Sequence, residues 1–533
     1  MRILVIAIFI FLSNADSFAQ IDRYVVYFTD KFNSTYTVTQ PEQFLSLRSI
    51  ARRSKLGIPV IEDDLPVNQN YINGVELTGA QAFYSSKWLN AILIQATATQ
   101  KDQILLLPFV SRIEFAAPLN PLIMGGRTTL NTNKFQITTD STFAQNDLIG
   151  TSFMNADGIN GMGILIGNFD AGFPGVNTIS SFSKIFPQNI LDSYNYVSNN
   201  TNVYTAHPHG TNTLSLLGAE INGEFYGIAT GAKYILYVTE DIASEYRIEE
   251  YNWLFAAERA DSIGVDIITS SLGYYTFDDK SMDYSTTDLN GETAIITKAA
   301  NKAIEKGIVV VTSAGNEGNN SWGKITFPGD CFGCIVVGNV NYEGIRNLSS
   351  SFGPTEDGRI KPDVMAMGTS ISVINPDNTI KKSGGTSFSA PQIAGLIAGL
   401  MQKFPDLTPT EIIQIMKESA SQATNPDSKY GFGIPHYNAV NHWIEGWDQL
   451  QFSAYPTLVD SNLLYFETNN PNLTPEVTFI LYNTKGQMLF NNNIHFSWSV
   501  LKVEKKLNVS EGLYFLKIIL SDQKVITQKI VVR

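Results

Sequence analysis

The chain has 533 residues, a length that suits one large domain with smaller flanking units rather than one ordinary domain. Hydrophobic residues make up 44% of the chain and aromatic residues 11%, which is enough to build a sizeable core and excludes a largely disordered chain. The 37 basic and 50 acidic residues give a formal net charge of −13, which favours solubility and argues against a nucleic-acid-binding surface.

The first 19 residues predict a signal peptide. Arg2 supplies a short positive start, residues 3–12 are apolar, and Ser17 and Ala19 are small residues suited to a cleavage site. The apolar run is too short for a transmembrane helix, and no later segment is long and apolar enough to span a bilayer. We therefore expect an exported protein without a membrane span in the mature chain, which crosses the periplasm and is secreted or held at the cell surface.

The pattern after the signal predicts a ferredoxin-like unit and a linker. Residues 20–118 show the order β-α-β-β-α-β, with strands at 24–28, 73–77, 89–96 and 110–116 and helices at 44–55 and 100–107. Residues 119–147 are polar and contain Gly125-Gly126. This composition predicts an exposed linker, where the chain is easily cut during processing.

Residues 148–445 predict an α/β domain with a doubly wound, mostly parallel sheet. Continuous apolar runs lie at 163–169, 234–238, 265–269, 308–311 and 334–337. Helical stretches, such as 248–263 and 293–306, separate them. Strands that are apolar on both faces and joined by helices are typical of a parallel sheet covered on both sides. Residues 450–533 instead show short alternating strands separated by turn residues, which predict a small β-sandwich.

Cys331 and Cys334 are the only two cysteines, and they form an isolated C-x-x-C. A structural zinc site needs more ligands than this pair supplies. In an exported protein the pair favours a short local disulfide, with two free thiols as the alternative.

One serine lies where a helix of small residues begins. Ser387 follows Gly384-Gly385-Thr386, and alanines and glycines recur at near-helical spacing through residue 403. The N-terminus of a helix has unpaired backbone N–H groups and the positive end of the helix dipole. Negative charge can therefore develop beside Ser387.

Polar residues follow three of the predicted strands. Asp170 comes directly after the first buried run, Ser271 follows another, and Asn316 follows a third in a Gly-containing turn. Active groups of doubly wound sheets lie beyond the carboxyl ends of strands. A serine nucleophile also needs a base. Of five histidines, only His209 lies in a Gly-bearing turn into a helix within this domain; His207, followed by Pro208, is the rival.

These residues resemble the signatures of the subtilisin-like serine proteases, the subtilases. The resemblance covers about residues 155–440. Five motifs carry it: Asp170-Ala171-Gly172, His209-Gly210-Thr211, the Ser271 strand, the Asn316 loop and Gly385 to Pro391. Asp170, His209 and Ser387 follow one another in the subtilisin order of acid, base and nucleophile. It implies a secreted serine endopeptidase of the peptidase S8 group that acts on proteins or peptides and needs no cofactor for its chemistry.

The resemblance also implies a role for each residue. Ser387 is the nucleophile, His209 the general base, Asp170 its orienting acid, and Asn316 an oxyanion-hole donor. Substrate-binding positions are Ser271, Leu272, Gly273, Ala314 and Gly315. Two departures from the family's motifs are visible. Asn212 replaces a histidine, and Ala171 replaces a residue with a hydroxyl beside the acid.

The flanking units extend the resemblance. Residues 20–118 resemble the inhibitory propeptide of subtilases, and residues 119–147 would contain the processing region. Residues 450–533 resemble the C-terminal sorting domain of proteins exported by the type IX secretion machinery of Bacteroidota, on the residues 512–518 and 529–533. The alternative for this end is an accessory β-domain that binds substrate or surface glycan.

Two further questions concern metal binding and other functions. Subtilases often bind structural calcium, and the acidic residues Asp278, Asp279, Asp283 and Asp288 could supply oxygen ligands, but a solvated loop explains them better and no metal site is assigned. A surface protein that keeps the scaffold only for binding is the rival function. An α/β-hydrolase esterase is excluded because the serine is not in a Gly-x-Ser-x-Gly turn.

Overall fold

The computed structural model describes residues 20–119, 141–445, 452–455, 458–459, 463–468, 476–495, 502–520 and 525–532. The expected signal peptide and most of the expected linker lie outside these residues. Among the residues described, no helix has both the length and the apolar character needed to cross a membrane. The contacts divide the chain into two units, one formed by Met1–Thr37 and Glu62–Leu122 and the other by Val38–Ile61 and Ile123–Arg533.

The first unit contains a four-stranded antiparallel sheet in the order β2-β3-β1-β4. The elements of this part of the chain are β1 (Ile21–Phe28), α1 (Leu47–Lys55), α2 (Gln69–Glu76), β2 (Gln81–Ser86), β3 (Ala91–Thr97), α3 (Ala98–Leu105) and β4 (Val110–Pro118). Helix α1 belongs to the second unit. The helix between β1 and β2 in the first unit is therefore α2.

The strand expected at residues 73–77 is wrong, because these residues lie in or directly after α2. The side chain of Asn68 accepts a hydrogen bond from the backbone N–H of Asn70 and caps the helix. Tyr71 and Val75, four residues apart, then lie on one helical face, and Val75 is fully buried. The apolar spacing thus fits a helix, and the strand follows it at Gln81–Ser86.

The second unit is built on a parallel sheet of seven strands in the order β13-β12-β11-β10-β5-β9-β6. Its strands, with two small hairpins, are β5 (Leu165–Asp170), β6 (Ile190–Asn195), β7 (Glu220–Ile221), β8 (Phe225–Tyr226), β9 (Lys233–Val238), β10 (Ile267–Ser270), β11 (Val309–Ser313), β12 (Ile335–Val340), β13 (Val364–Met367), β14 (Ile371–Ile374) and β15 (Ile380–Ser383). The expected parallel α/β sheet is confirmed, with β6 and β13 as additional strands.

Helices connect these strands and cover the sheet. They are α4 (Phe143–Leu148), α5 (Thr151–Ala156), α6 (His209–Gly218), α7 (Ile248–Ile263), α8 (Ile295–Glu305), α9 (Thr386–Lys403), α10 (Pro409–Glu418) and α11 (Tyr437–Glu445). Small residues let α9 approach its neighbours closely, since a Cβ atom on Gly395 would lie 2.7 Å from the side chain of Ile228.

Cys331 and Cys334 form the expected disulfide, with their Cα atoms 5.6 Å apart.

The strand order places the carboxyl ends of three strands side by side. β10 is the middle strand of the run β11-β10-β5. The strands β6 and β9 lie on one side of β5, and the strands β10 to β13 lie on the other. Such a reversal of strand order opens a crevice at the carboxyl ends. Asp170 ends β5, Ser271 follows β10 and Ala314 follows β11, so all three lie at this crevice.

The described strands of the C-terminal part form two sheets. They are β16 (Phe452–Tyr455), β17 (Leu458–Val459), β18 (Leu463–Thr468), β19 (Glu476–Asn483), β20 (Met488–His495), β21 (Lys502–Lys506), β22 (Gly512–Ile519) and β23 (Val525–Val532). The sheet orders are β16-β18-β21 and β17-β23-β22-β19-β20. Apolar side chains of both sheets belong to one buried cluster, in which the rings of Phe466 and Phe479 lie 4.7 Å apart.

Candidate active site

Ser387 lies at the start of α9, held by the turn before it. Gly385 has a φ of 136°, which a residue with a Cβ atom rarely adopts, and no side chain caps the helix at this residue. The first four backbone N–H groups of a helix have no intrahelical acceptor. The N–H of Ser387 is one of these, so a donor lies next to the serine hydroxyl.

Two hydrogen bonds join Ser387 to the residue that follows β10. The Ser387 hydroxyl donates to the backbone oxygen of Ser271 at 3.3 Å, and the Ser271 hydroxyl donates to the backbone oxygen of Ser387 at 2.7 Å. Ser387 is 9% exposed. The serine is therefore fixed beside the carboxyl end of the sheet, with part of its surface accessible.

Asp170 and His209 form a hydrogen-bonded pair. Asp170 Oδ1 lies 2.7 Å from His209 Nδ1, and it also accepts the backbone N–H of Ala171 at 2.8 Å. The aspartate is fully buried, whereas the histidine side chain is 24% exposed. A carboxylate at Nδ1 favours the tautomer with its proton on that nitrogen. Nε2 is then the nitrogen that can accept a proton.

Thr213 completes the environment of the aspartate, and the sequence motifs did not reveal it. Its hydroxyl donates to Asp170 Oδ2 at 3.0 Å and lies 3.1 Å from the backbone oxygen of Gly210. The side-chain amide of Asn168 lies 3.4 Å from the same hydroxyl. The threonine thus supplies a hydroxyl to the acid although Ala171 has none. Its position one helical turn after His209 was the available signal.

His209 also lies beside the beginning of α9. Its ring centroid is 5.7 Å from that of Phe388, the residue after Ser387. The rival base, His207, stacks on His209 at 6.4 Å and accepts the backbone N–H of His209 on its Nδ1 at 3.3 Å. Burial, followed by the neighbouring His209, lowers the pKa of His207 below its ordinary value. The structure therefore pairs Asp170 with His209 and gives His207 a supporting contact.

Asn316 is oriented by the turn that carries the serine. Its Oδ1 accepts the backbone N–H of Thr386 at 3.0 Å and lies 3.2 Å from the Thr386 hydroxyl. Because one side of the amide is occupied by these donors, the Nδ2 group faces away from them. Asn316 can thus donate a hydrogen bond in the crevice next to the first turn of α9.

The expected substrate-binding residues lie on two adjacent strand ends. Ser271, Leu272 and Gly273 follow β10, and Ala314 and Gly315 follow β11. Thr326 lies against both glycines, and a Cβ atom on Gly315, which has a φ of 100°, would be 2.9 Å from it. Small residues are therefore required on both walls.

Of the other histidines, His436 contacts Phe153 and His495 lies near Glu476.

The acidic residues considered for calcium accept hydrogen bonds from the backbone N–H groups of turns. Asp279 accepts the backbone N–H of Ser281, and Asp283, Asp288 and Asp278 accept backbone N–H groups of Phe277, Ser285 and Glu245. A different set, Glu240, Glu245 and Glu249, brings three carboxylates within 4.8 Å of one another. Acidic side chains alone do not define a metal site, and we assign none.

Comparison with known proteins gives two family matches. Residues 84–433 match the model of the subtilase family, Peptidase S8, which is well over half of the chain. Residues 23–135 match the Peptidase S8 propeptide domain of Bacteroidota. The two matches overlap at residues 84–135.

Individual relatives are subtilisins from Bacillus. Subtilisin NAT of Bacillus subtilis subsp. natto is 30% identical over 257 residues, which are 47% of this chain and 61% of that protein. The chain therefore spans less than two thirds of that relative. Subtilisin of Bacillus pumilus is 30% identical over 257 residues, 47% of this chain and 84% of that protein. Subtilisin DY of Bacillus licheniformis is 27% identical over 288 residues, 54% of this chain and 93% of that protein.

The parallel α/β sheet, the motifs at its carboxyl edge and the match over residues 84–433 all agree. The chain belongs to the subtilase family of serine-type endopeptidases.

Proposed function

We propose that this protein hydrolyses peptide bonds with a catalytic triad of Asp170, His209 and Ser387. The observation that carries the proposal is the buried Asp170, bonded at 2.7 Å to a partly exposed His209 whose ring lies 5.7 Å from that of Phe388, the residue after Ser387. A base oriented by an acid, close to a serine hydroxyl, is the arrangement that activates a serine.

The proposed reaction begins with attack of Ser387 Oγ on the substrate carbonyl carbon. The hydroxyl turns from the backbone oxygen of Ser271 towards His209, whose Nε2 takes the proton. The Asn316 amide and the Ser387 N–H stabilise the negative oxygen. His209 then gives its proton to the departing amine as the C–N bond breaks, which leaves an ester on Ser387. Water, deprotonated by His209, hydrolyses this ester and restores the serine.

The walls of the crevice define how a substrate would lie. Ser271, Leu272 and Gly273 directly follow β10 at the crevice, where a peptide in extended form can pair as an added strand. Ala314 and Gly315 face the residue before the cut bond. Proteins or peptides with an accessible extended segment are the substrates that this arrangement fits.

The flanking parts extend the proposal to maturation and export. The propeptide match at residues 23–135 supports an inhibitory propeptide that is cut from the protease. For residues 450–533 we retain the type IX sorting role on the likeness of residues 512–518 and 529–533, together with a signal peptide at 1–19 and release outside the cell. Deletion of residues 450–533 should then leave active protease in the periplasm; normal release of the truncated protein would contradict the sorting role.

A fluorophosphonate probe tests the proposed nucleophile directly. The wild-type protein with its propeptide removed should be labelled at Ser387, and Ser387→Ala should abolish both the label and peptide hydrolysis. Ser389→Ala is the matched control, because this neighbouring hydroxyl donates to the backbone oxygen of Ala366 at 3.1 Å and lies outside the proposed reaction. A folded wild-type protein that takes up no label and cuts no peptide would show the scaffold to be a binding protein.

A further inference from the structure

One helix of the matched propeptide region makes its contacts in the catalytic unit. Helix α1 lies within residues 23–135, which match the propeptide model. Residues 38–61 nevertheless group by their contacts with residues 123–533. The segment around α1 is therefore attached to the body of the protease, and the nature of that attachment can be read from its hydrogen bonds.

The first contact is at the end of α7. The last carbonyl groups of a helix lack intrahelical donors, and here the oxygens of residues 262–265 face α1. The backbone N–H and hydroxyl of Ser46 donate to the first two of these oxygens at 2.8 and 2.7 Å. Arg48 Nε donates to the third at 2.9 Å, and the Arg52 guanidinium donates to the fourth. The start of α1 thus caps the end of α7 and the turn after it.

The second contact is a buried cluster of charges. Asp261 is fully buried on α7. Its Oδ1 accepts from Arg52 at 2.7 Å, and both its oxygens accept from Arg53, at 3.0 and 2.8 Å. The Arg53 side chain is only 1% exposed. Removing Asp261, or the arginine that bonds both of its oxygens, leaves buried charge with less compensation than in the intact cluster, which is costly.

The surface of the protease is also shaped for this helix. Gly264 has a φ of 99°, and a Cβ atom there would lie 2.7 Å from the backbone nitrogen of Ser49. A Cβ atom on Gly307 would lie 2.5 Å from the side chain of Leu56. A larger residue at either glycine would collide with the docked segment, so shape and charge fit the same occupant.

This surface lies at the opposite edge of the sheet from the active site. Residues 264–266 precede β10 and Gly307 precedes β11, whereas Ser271 and Ala314 follow those strands. All seven strands run parallel, so their amino ends share one edge and their carboxyl ends the other. Docking of α1 therefore leaves the carboxyl-edge crevice free.

We propose that residues 261–266 form a docking surface for α1, and that this surface keeps the propeptide on the protease after the chain is cut between residues 119 and 141. The proposal rests on the proposed function only in taking residues 23–135 as a propeptide that is cut from the catalytic unit. The surface binds a helix that carries arginines at the positions of Arg48, Arg52 and Arg53. It recognises them by charge and shape, and the active site takes no part in these contacts.

The test uses the full chain with Ser387→Ala and a recognition sequence for a site-specific protease placed within residues 120–140. After the cut, analytical ultracentrifugation at falling concentrations gives the Kd between the two pieces. Arg53→Ala should raise this Kd by at least roughly 100-fold, because the buried Asp261 keeps Arg52 but loses its two hydrogen bonds from Arg53. Since a buried pair is screened little, the Kd of the parent chain should change less than about threefold between 0.1 and 1 M salt.

Arg112→Ala is the matched control, because this propeptide arginine pairs with Glu114 and its side chain is 56% exposed. It should leave the Kd unchanged. If thermal unfolding of the uncut chain shows that Arg53→Ala does not fold, Asp261→Asn and Arg53→Lys replace it and should each raise the Kd by at least about tenfold. Retention of the cut propeptide by these variants as tightly as by the parent would overturn the proposal. No step requires peptidase activity, so the result is independent of the proposed nucleophile.

Discussion

Thr213→Val removes the hydrogen bond that the structure adds to the proposed triad, together with the weaker contact of the same hydroxyl with Asn168. The two side chains have nearly the same shape, but valine cannot donate to Asp170 Oδ2, which now accepts at 3.0 Å. Oδ1 retains His209 and the Ala171 N–H. A hydrogen bond to a charged group contributes about 1.5–3 kcal/mol. If all of this free energy is lost from the transition state, the rate falls by about 10- to 100-fold. We expect a fall of that size in kcat.

The assay separates a positioning role from a structural one. Steady-state hydrolysis of a peptide substrate, with active sites counted by the fluorophosphonate label, should show lower kcat with KM changed less than about twofold, because Thr213 holds the acid and not the substrate. Thr213→Ser keeps the donor and should restore kcat to within about threefold of wild type. A folded Thr213→Val protein with wild-type kcat would refute the reasoning, since the buried oxygen would then need no donor.

Three further predictions concern the oxyanion, folding and maturation. Asn316→Leu should lower kcat by about 10²–10³-fold with little change in KM, which is the size of loss known for one oxyanion-hole donor of subtilisin. Thermal unfolding checks that the variant is folded, and a folded variant with wild-type kcat would contradict the role of Asn316. Burial raises the pKa of Glu250 to about 7, so the folded chain holds this proton more tightly than the unfolded chain, and stability should fall as pH rises from about 4.5 to 7. Between about pH 5 and pH 8, the free energy of unfolding of Glu250→Gln, measured by chemical denaturation, should fall by up to about 3 kcal/mol less than that of the wild type. The same difference between the two pH values in variant and wild type would contradict this prediction. Ser387→Ala should accumulate as an uncut precursor on gels if the enzyme processes itself, whereas normal cutting would point to another protease.

The residues of the proposed triad were recognisable because each lies in a short local pattern. Asp170 after an apolar run, His209 before a helix and Ser387 after two glycines are positions that neighbouring residues define. The apolar runs likewise predicted five strands of the parallel sheet, since a strand buried on both faces is apolar throughout. Local pattern was weaker at residues 73–77, where the same apolar residues fit a strand or a helix, and the structure forms α2.

The sequence by itself thus determined the family, the chain order of the residues proposed as acid, base and nucleophile, and the parallel sheet that positions them. The tertiary structure decided which groups surround them. Thr213 reaches Asp170 only because β5 and α6 pack together, and the Arg52 and Arg53 contacts with Asp261 join residues more than 200 positions apart. Such contacts depend on how distant elements meet, and no local spacing encodes them. The basic helix near residue 50 therefore looked like part of the propeptide unit, and its buried charges attach it to the protease.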